Sequence, residues 1–336
     1  MVNHLGAPPF TDMTIRRKFI SVCILNYVEY GSVVQTLIDI QSELKSQYHQ
    51  TEDVTNQLKI LLNNFRNNFE IIENITSCCL NWPIIYAITP TYKRPVQKAE
   101  LTRLSYAFRL VPNFHWIIVE DSEKPTKLVT NLLRTSMLNY THLIAPTPAS
   151  WKRKLREPKW KKPRGVSQRN TALKWLRLNR NKPTDRGVVY FADDDNTYSL
   201  QLFTEMRSIR KVGVWPVGLV GGLMVERPII SASSGKVIGW NSHWRPERKF
   251  PIDMAGFAIN LQFLISKPQA EFSFNVERGF QETTLLSQLV GLEELEPRAD
   301  NCTKVYVWHT RTEEPNLNDE KALKKLGQRS DENIEV

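Results

Sequence analysis

Apolar residues return along this chain in two rhythms. Short unbroken apolar runs, each closed by a polar or acidic residue, alternate with stretches where apolar residues recur every third or fourth position. The first rhythm predicts strands buried on both faces, and the second predicts helices packed over them. Ile84-Ile85-Tyr86-Ala87-Ile88 is the first such run, closed by Thr89-Pro90-Thr91-Tyr92. Val96, Leu101, Leu104 and Phe108 then predict a helix over 96–110. Trp116-Ile117-Ile118-Val119 predicts a second strand ending in Glu120-Asp121-Ser122, followed by a helix near 126–138 and a strand at 141–145. Residues 168–177 read as helical, and 187–192 as a strand that runs straight into Asp193-Asp194-Asp195. This βαβ order predicts a parallel sheet of the nucleotide-binding kind. After Trp215 the pattern turns strand-rich, with runs at 217–223, 236–240, 257–264 and 305–308 and a helix near 282–290.

Before Trp82 the pattern is different. Residues 39–76 are rich in Gln, Asn, Glu and Lys, hold neither Pro nor Gly, and carry Val54, Leu58, Leu61, Phe65, Phe69 and Ile72 at helical steps. That stripe predicts either a coiled-coil stem or a helix packed on its own domain. Nearer the start, Arg16-Arg17-Lys18 precede an apolar run from Phe19 to Val28, which Glu29 interrupts before Tyr30 to Ile38 resume it. A basic flank before an apolar stretch resembles a signal-anchor. A span of about 20 apolar residues is needed, however, and a central Glu costs about 2–3 kcal/mol. The expected division is a cytosolic tail at 1–18, a signal-anchor or an amphipathic helix at 19–40, and a helical stem at 41–81.

Composition narrows the partners. Of 336 residues, 45 are Lys or Arg against 35 Asp or Glu, a formal charge of +10 that favours polyanionic ligands. Trp151 to Arg164 concentrates eight of those cations with Glu157 as the one acid, interleaved with Trp151 and Trp160. Such a segment suits single-stranded nucleic acid, an acidic saccharide, or simply a solvated loop. Cys23, Cys78, Cys79 and Cys302 lack C-x-x-C spacing, which argues against a zinc site. Cys78 or Cys79 could bridge to another chain or to Cys302. Asn-x-Thr sequons at Asn74, Asn139 and Asn301 permit N-glycosylation. The aspartate triplet carries the chemistry. Three adjacent like charges at the C-terminal end of a strand repel one another unless a cation neutralises them, and open α/β sheets bind nucleotides at that edge.

A collinear set of motifs is more specific. Thr89-Pro90-Thr91-Tyr92, Val119-Glu120-Asp121, Pro163-Arg164-Gly165-Val166 with Gln168-Arg169-Asn170, and Tyr190 to Asn196 occur in one order. Trp215 to Gly222, Phe250-Pro251 with Asp253 to Ala258, Arg278-Gly279, Glu282, Asn301-Cys302-Thr303 and Trp308 to Thr312 follow. From Trp82 to Val336 the chain resembles the β-1,3-glucuronyltransferases of glycosyltransferase family 43, especially the branch that finishes the proteoglycan linkage tetrasaccharide. Residues 1–81 carry no motif.

The resemblance implies an α/β protein of the GT-A glycosyltransferase fold, with two abutting Rossmann-like halves around a central, mostly parallel sheet. Residues 82–196 would form the UDP- and metal-binding half and 197–336 the acceptor-binding half. It further implies a Mn²⁺-dependent hexosyltransferase that moves glucuronic acid, with inversion, from UDP-glucuronic acid to the 3-OH of a terminal galactose in glycosaminoglycan biosynthesis. The expected setting is a homodimer, anchored as a single-pass type II protein of the Golgi membrane with its catalytic part in the lumen. The partner implied is a saccharide and not nucleic acid. Lactosamine-ended glycoproteins or glycolipids are the alternative acceptors, and a non-catalytic acidic-glycan-binding homologue is the alternative class.

Residue roles carry over by motif. Asp195 would bind the metal, Asp194 approach the ribose and Asp193 support the cluster; carboxylate oxygens suit a hard divalent ion that bridges phosphates. Tyr92 would stack on uracil and Asp121 accept from its ring N–H, while Arg164, Arg169, His309 and Arg311 would line the donor site. Read alone, Tyr92 also suits a strand cap, and Arg311 an ion pair with Glu313 or Glu314. Inversion requires one base opposite the leaving group and no covalent intermediate, and the family's base maps to Glu282. Its place in the first turn of a helix predicts a carboxylate kept ionised by the helix dipole, and read alone Glu282 suits a helix cap better than a base. Asn196, Glu226, Arg248 and Asp253 map to the acceptor site, with Trp244 offering an apolar face. Phe280-Gln281, Ser167 and the basic 147–163 loop depart from the family's usual residues, which leaves the acceptor open.

Overall fold

The computed structural model describes residues 82–152, 157, 162–313, 315–332 and 334–335. The tail, the 19–40 segment, the 41–81 stem, the sequon at Asn74 and Cys23, Cys78 and Cys79 lie outside the described residues. Among the described residues no helix is long and apolar enough to cross a membrane. Residues 83–336 form one compact unit.

That unit is built on a seven-stranded mixed sheet. Its first half supplies β1 (Ile84–Thr91), β2 (Phe114–Glu120), β3 (Asn139–Ile144) and β4 (Gly187–Phe191). These pair in parallel, with β1 between β2 and β4 and β3 outside β2. The connecting helices are α1 (Gln97–Arg109), α2 (Lys127–Thr135) and α3 (Val166–Asn179). Alternation along each strand divides the core between the two faces. Tyr86, Ile88, Ile117, Val119, Val189 and Phe191 meet Ala172, Leu173 and Leu176 of α3 on one side. On the other, Ile85, Ala87, Trp116, Ile118, Val188 and Tyr190 meet Leu101, Leu104 and Phe108 of α1 and Val129 and Leu133 of α2. Both faces of β1, β2 and β4 are covered, so their buried runs are apolar, whereas β3 at the sheet edge is polar and partly exposed.

The second half adds to both this sheet and a new one. After β5 (Thr197–Tyr198) and α4 (Leu200–Glu205), β6 (Val212–Val214) joins the first sheet, whereas β7 (Val217–Val220), β8 (Leu223–Ile230) and β9 (Val237–Asn241) do not. Next, β10 (Phe257–Asn260) inserts antiparallel between β4 and β6, and α5 (Leu261–Ile265) and α6 (Gln281–Ser287) follow. Finally β11 (Glu296–Pro297) completes the order β11-β6-β10-β4-β1-β2-β3, and β12 (Val307–Trp308) completes a five-stranded sheet ordered β5-β12-β7-β8-β9. The α/β expectation and the mostly parallel sheet therefore hold, with β10 as the reversed strand.

Three sequence expectations need correction. The apolar run 257–264 is strand only to Asn260, whose side chain accepts from Phe263 N at 3.1 Å and starts a helix instead. The run 217–223 is two strands joined by a Gly221-Gly222 turn. The second of them, β8, was missed because Glu226, Arg227 and Pro228 break its apolar pattern. The run 305–308 is strand only over Val307–Trp308.

Register then assembles the site. Thr91 lies opposite Glu120, so β1 and β2 end level, whereas Ile88 lies opposite Phe191, so β4 ends three residues short of β1 and Asp194 of the triplet that follows it meets Thr91. Tyr92, Asp121 and Asp193-Asp194-Asp195 consequently emerge along one carboxyl edge of the sheet.

Candidate active site

Two cavities are formed, the first of them at that edge. The first, of about 610 Å³, is lined by Tyr92, Arg94, Asp121, Thr147, Arg164, Gly165, Arg169 and all three aspartates of the triplet, among others. The second, of about 740 Å³, is lined by Glu226, Trp244, Arg248, Asp253, Arg278, Gly279, Glu282, His309 and Arg311, among others. Every residue assigned a donor, acceptor, metal or catalytic role above lines one of the two, except Asn196. That side chain is buried, its Oδ1 has no hydrogen-bond partner among the described residues, and it lines neither cavity.

In the first cavity the triplet is differentiated by its neighbours. Asp193 Oδ1 pairs with Arg169 Nη2 at 2.6 Å. Asp194 Oδ2 accepts from Thr91 Oγ1 at 2.8 Å, while Oδ1 pairs with Arg94 Nη2 at 2.7 Å. Burial lifts the Asp194 carboxyl to about 6, against the opposing pull of Arg94. Asp195 is held by its backbone: its carbonyl accepts from Thr310 Oγ1 at 2.6 Å and Arg103 Nη2 at 3.3 Å. Its carboxylate forms no ion pair among the described residues. Burial, then Asp193, raise its pKa above the usual range.

A carboxylate in those surroundings is stabilised by an added cation. No group of three or more His, Cys, Asp or Glu side chains is gathered to hold a metal among the described residues. Asp195 offers hard carboxylate oxygens of the kind that fit a divalent ion.

The nucleotide end is pre-shaped by short loops. Both Asp121 oxygens accept from Thr147, one from N and one from Oγ1, each at 2.7 Å. The exposed Tyr92 ring stands at the mouth beneath the Arg94 guanidinium, 4.7 Å from its centroid. Gly165 opens α3 at φ +72, and a Cβ there would lie 2.4 Å from Arg169 Nη1. Glycine at this position lets Arg169 fold back to donate to Arg164 O at 3.0 Å while reaching Asp193.

The second cavity is centred on Glu282. It lies in the first turn of α6, yet the helix terminus does not govern its ionisation. Burial dominates and lifts its carboxyl to about 7, with Asp253 adding to the shift and Arg248 and Arg169 opposing it. The expectation of a dipole-stabilised carboxylate is thus reversed, because desolvation outweighs a partial charge at a helix end. Arg248 is pinned by three backbone carbonyls, those of Gly279 (2.8 Å), Trp244 (3.1 Å) and Arg245 (3.2 Å). Its guanidinium also sits 5.0 Å from the Trp244 ring. Gly279, at φ +82, would place a Cβ 2.0 Å from that indole, so glycine here is a packing requirement. Glu226 accepts from Ser242 Oγ at 2.7 Å, and burial raises its pKa.

His309 and Asp253 lie together in the second cavity. Their Nδ1 and Oδ2 atoms stand 3.2 Å apart. Burial opposes ionisation of Asp253, but His309 overrides it and holds the carboxyl below its ordinary value. His309 is in turn raised, first by Asp253 and further by the charges of Asp193 and Asp195. Arg169 acts on both sides, pairing with Asp193 and influencing Glu282. Arg311 is exposed at the rim and forms no ion pair among the described residues. The arrangement supplies a cation-seeking carboxylate, a basic lining, and a carboxyl with affinity for a proton near neutral pH.

Arg94, Thr147 and Thr310, which touch Asp194, Asp121 and Asp195 respectively, carry no role in the sequence motifs. Their partners are far away along the chain, and no spacing signal announces them. At the remaining sequence-marked positions, Asn139 opens β3 and is exposed, and Asn301 is exposed in a left-handed turn at φ +51. Cys302 is a buried free thiol among the described residues.

Residues 104–313 match glycosyltransferase family 43. The chain is 56% identical over 258 residues to galactosylgalactosylxylosylprotein 3-beta-glucuronosyltransferase I of Drosophila melanogaster, covering 76% of this chain and 84% of that one. To galactosylgalactosylxylosylprotein 3-beta-glucuronosyltransferase 3 of Homo sapiens it is 53% identical over 263 residues, covering 76% and 78%. Among solved structures, S. aureus TarS in complex with UDP aligns with a TM-score of 0.43 at 17% identity, covering 68% of this chain and 61% of that one.

Proposed function

Because this chain belongs to glycosyltransferase family 43, we propose that it transfers glucuronic acid from UDP-glucuronate to the 3-OH of a terminal galactose. The proposed acceptor is the galactosylgalactosylxylosylprotein in the names of its relatives, and the proposed product completes the linkage region of proteoglycans. The observation that carries this reading is the placement of the half-buried Glu282 in one cavity with Glu226, Trp244, Arg248, Asp253 and His309, while a second cavity collects Tyr92, Asp121, Arg169 and the three aspartates.

Glu282 takes the proton of the acceptor hydroxyl as that oxygen attacks the anomeric carbon. The bond to the diphosphate breaks on the opposite face, its electron pair leaves with UDP, and the configuration inverts. A base with affinity for a proton near neutral pH is better matched to this step than an ordinary carboxylate. Tyr92 and Asp121 take the uracil, Asp194 the ribose, and Arg164, Arg169, His309 and Arg311 the charged remainder of the donor. Glu226, Trp244, Arg248 and Asp253 hold the acceptor. Mn²⁺ held by Asp195 would neutralise the departing diphosphate. The proposed setting is a homodimer anchored in the Golgi membrane by residues 19–40.

The test is turnover of UDP-glucuronate with Mn²⁺ on linkage trisaccharide and on lactosamine acceptors, for the full chain and for Glu282→Gln. Transfer to the trisaccharide that Glu282→Gln abolishes, with UDP binding retained, is expected. Equal activity in the variant removes Glu282 from its role, and preference for lactosamine reassigns the acceptor.

A further inference from the structure

A polar network runs from the first cavity, where Thr91, Tyr92, Arg94 and Asp194 line it, back to helix α1. Arg94 forms an ion pair with Glu100 of α1 through the same Nη2 that pairs with Asp194. Its other terminal nitrogen donates to Tyr92 O at 3.2 Å, and its guanidinium lies 4.7 Å from the Tyr92 ring centroid. Gln97 of α1 donates to Thr91 Oγ1 at 3.0 Å, and Thr91 donates onward to Asp194. One turn further, Arg103 donates to the carbonyl of Asp195. Gln97, Glu100 and Arg103 are spaced by three residues and so share one face of the helix. None of the residues of α1 lines either cavity.

The chemistry of this arrangement is specific. Asp194 is buried, and both its oxygens are taken up by Thr91 and Arg94, which leaves the carboxylate one orientation. Glu100 is also buried, so the guanidinium between the two carboxylates neutralises charge that would otherwise repel across a desolvated gap. A planar guanidinium can face both carboxylates and cover the tyrosine ring at once; an ammonium cannot reproduce that geometry.

We propose that Arg94, held by Glu100, is a positioning residue of the nucleotide site: it fixes the Asp194 carboxylate and the Tyr92 ring in one relative orientation, and so sets how strictly the site reads the ribose. Helix α1 thereby acts on the nucleotide without touching it. This rests on the reading above that Asp194 faces the ribose and Tyr92 the uracil.

The experiment is calorimetry of the full chain, in the presence of Mn²⁺, with UDP and with its 2′-deoxy and 3′-deoxy counterparts. Wild type is expected to favour UDP over at least one deoxy counterpart by about tenfold, the scale of one charge-assisted hydrogen bond. Arg94→Lys is expected to lose about tenfold in UDP affinity and to bind the deoxy compounds equally well. Glu100→Gln should move affinity in the same direction by less. Arg109→Lys, at the far end of α1, is the control and should change nothing. Asp194→Asn separates the two layers of the argument. If Asp194→Asn loses ribose discrimination but Arg94→Lys keeps it, the positioning role is overturned while the site reading survives. If Asp194→Asn itself binds all three ligands as wild type does, the underlying site reading fails and takes the proposal with it. A loss in Arg94→Lys that spares the discrimination and tracks a lowered thermal midpoint would mark a purely structural residue and also overturn the proposal.

Discussion

Replacing Glu282 by Gln should make the protein inactive and, at alkaline pH, more stable. Burial moves this carboxyl from an ordinary 4.5 to about 7. Between those values the folded chain holds a proton that the unfolded chain has released, so stability falls as pH rises through the window. A displacement from 4.5 to about 7 corresponds to about 3 kcal/mol at most once the group is fully ionised. Water entering the cavity screens part of that penalty, which brings the expected figure to about 1–3 kcal/mol. Gln fills nearly the same volume and is neutral throughout, so it does not carry the penalty. Urea denaturation at about pH 4 and about pH 8 should therefore show equal stability at the lower pH and a more stable variant, by about 1–3 kcal/mol, at the higher one, with unchanged m. At the higher pH glucuronate transfer should drop by about a hundredfold or more. A stability difference independent of pH would refute the account of the shifted carboxyl. Full activity in the variant would refute its role as base.

Other consequences can be checked alongside. In wild type, kcat/KM should climb with pH and level off above about 7, because only ionised Glu282 accepts a proton; a flat profile from pH about 5 to about 9 would contradict this. Asp195→Asn should abolish the Mn²⁺ dependence of UDP binding measured by calorimetry, and retention of that dependence would place the ion elsewhere. Gly279→Ala should destabilise the fold by about 2 kcal/mol or more and raise the acceptor KM, since the new Cβ meets Trp244 at 2.0 Å in a left-handed backbone. A variant with wild-type melting and KM would show that the indole has room to move.

Much of the architecture was legible because its causes are local. A strand buried on both faces must be apolar throughout, so 84–88, 116–119 and 187–192 stood out, and the helices between them followed from their three-and-four spacing. Where a strand has one wet face or a charged interior residue, as in β8 with Glu226 and Arg227, that signal disappears. Where an apolar run contains its own helix cap, as at Asn260, composition misleads. The residues of the site were recognised through the order of their motifs, and the cavities collect all of them but Asn196. What no motif carried was the state of each group.

The identities, order and polarity of the site residues were determined by the amino-acid sequence alone, as was the parallel half-sheet that brings Tyr92, Asp121 and the aspartates to one edge. Their charges and orientations were decided only by tertiary structure. Glu282 sits at a helix start, where sequence favours an ionised carboxylate, but burial beside Asp253 raises it to about 7. Asp194 and Asp195 are chemically identical neighbours, yet one is enclosed by Thr91 and Arg94 while the other has no ion-pair partner among the described residues. Ionisation and orientation depend on desolvation and on partners many residues away, and those are properties of the packed chain, not of any segment of it.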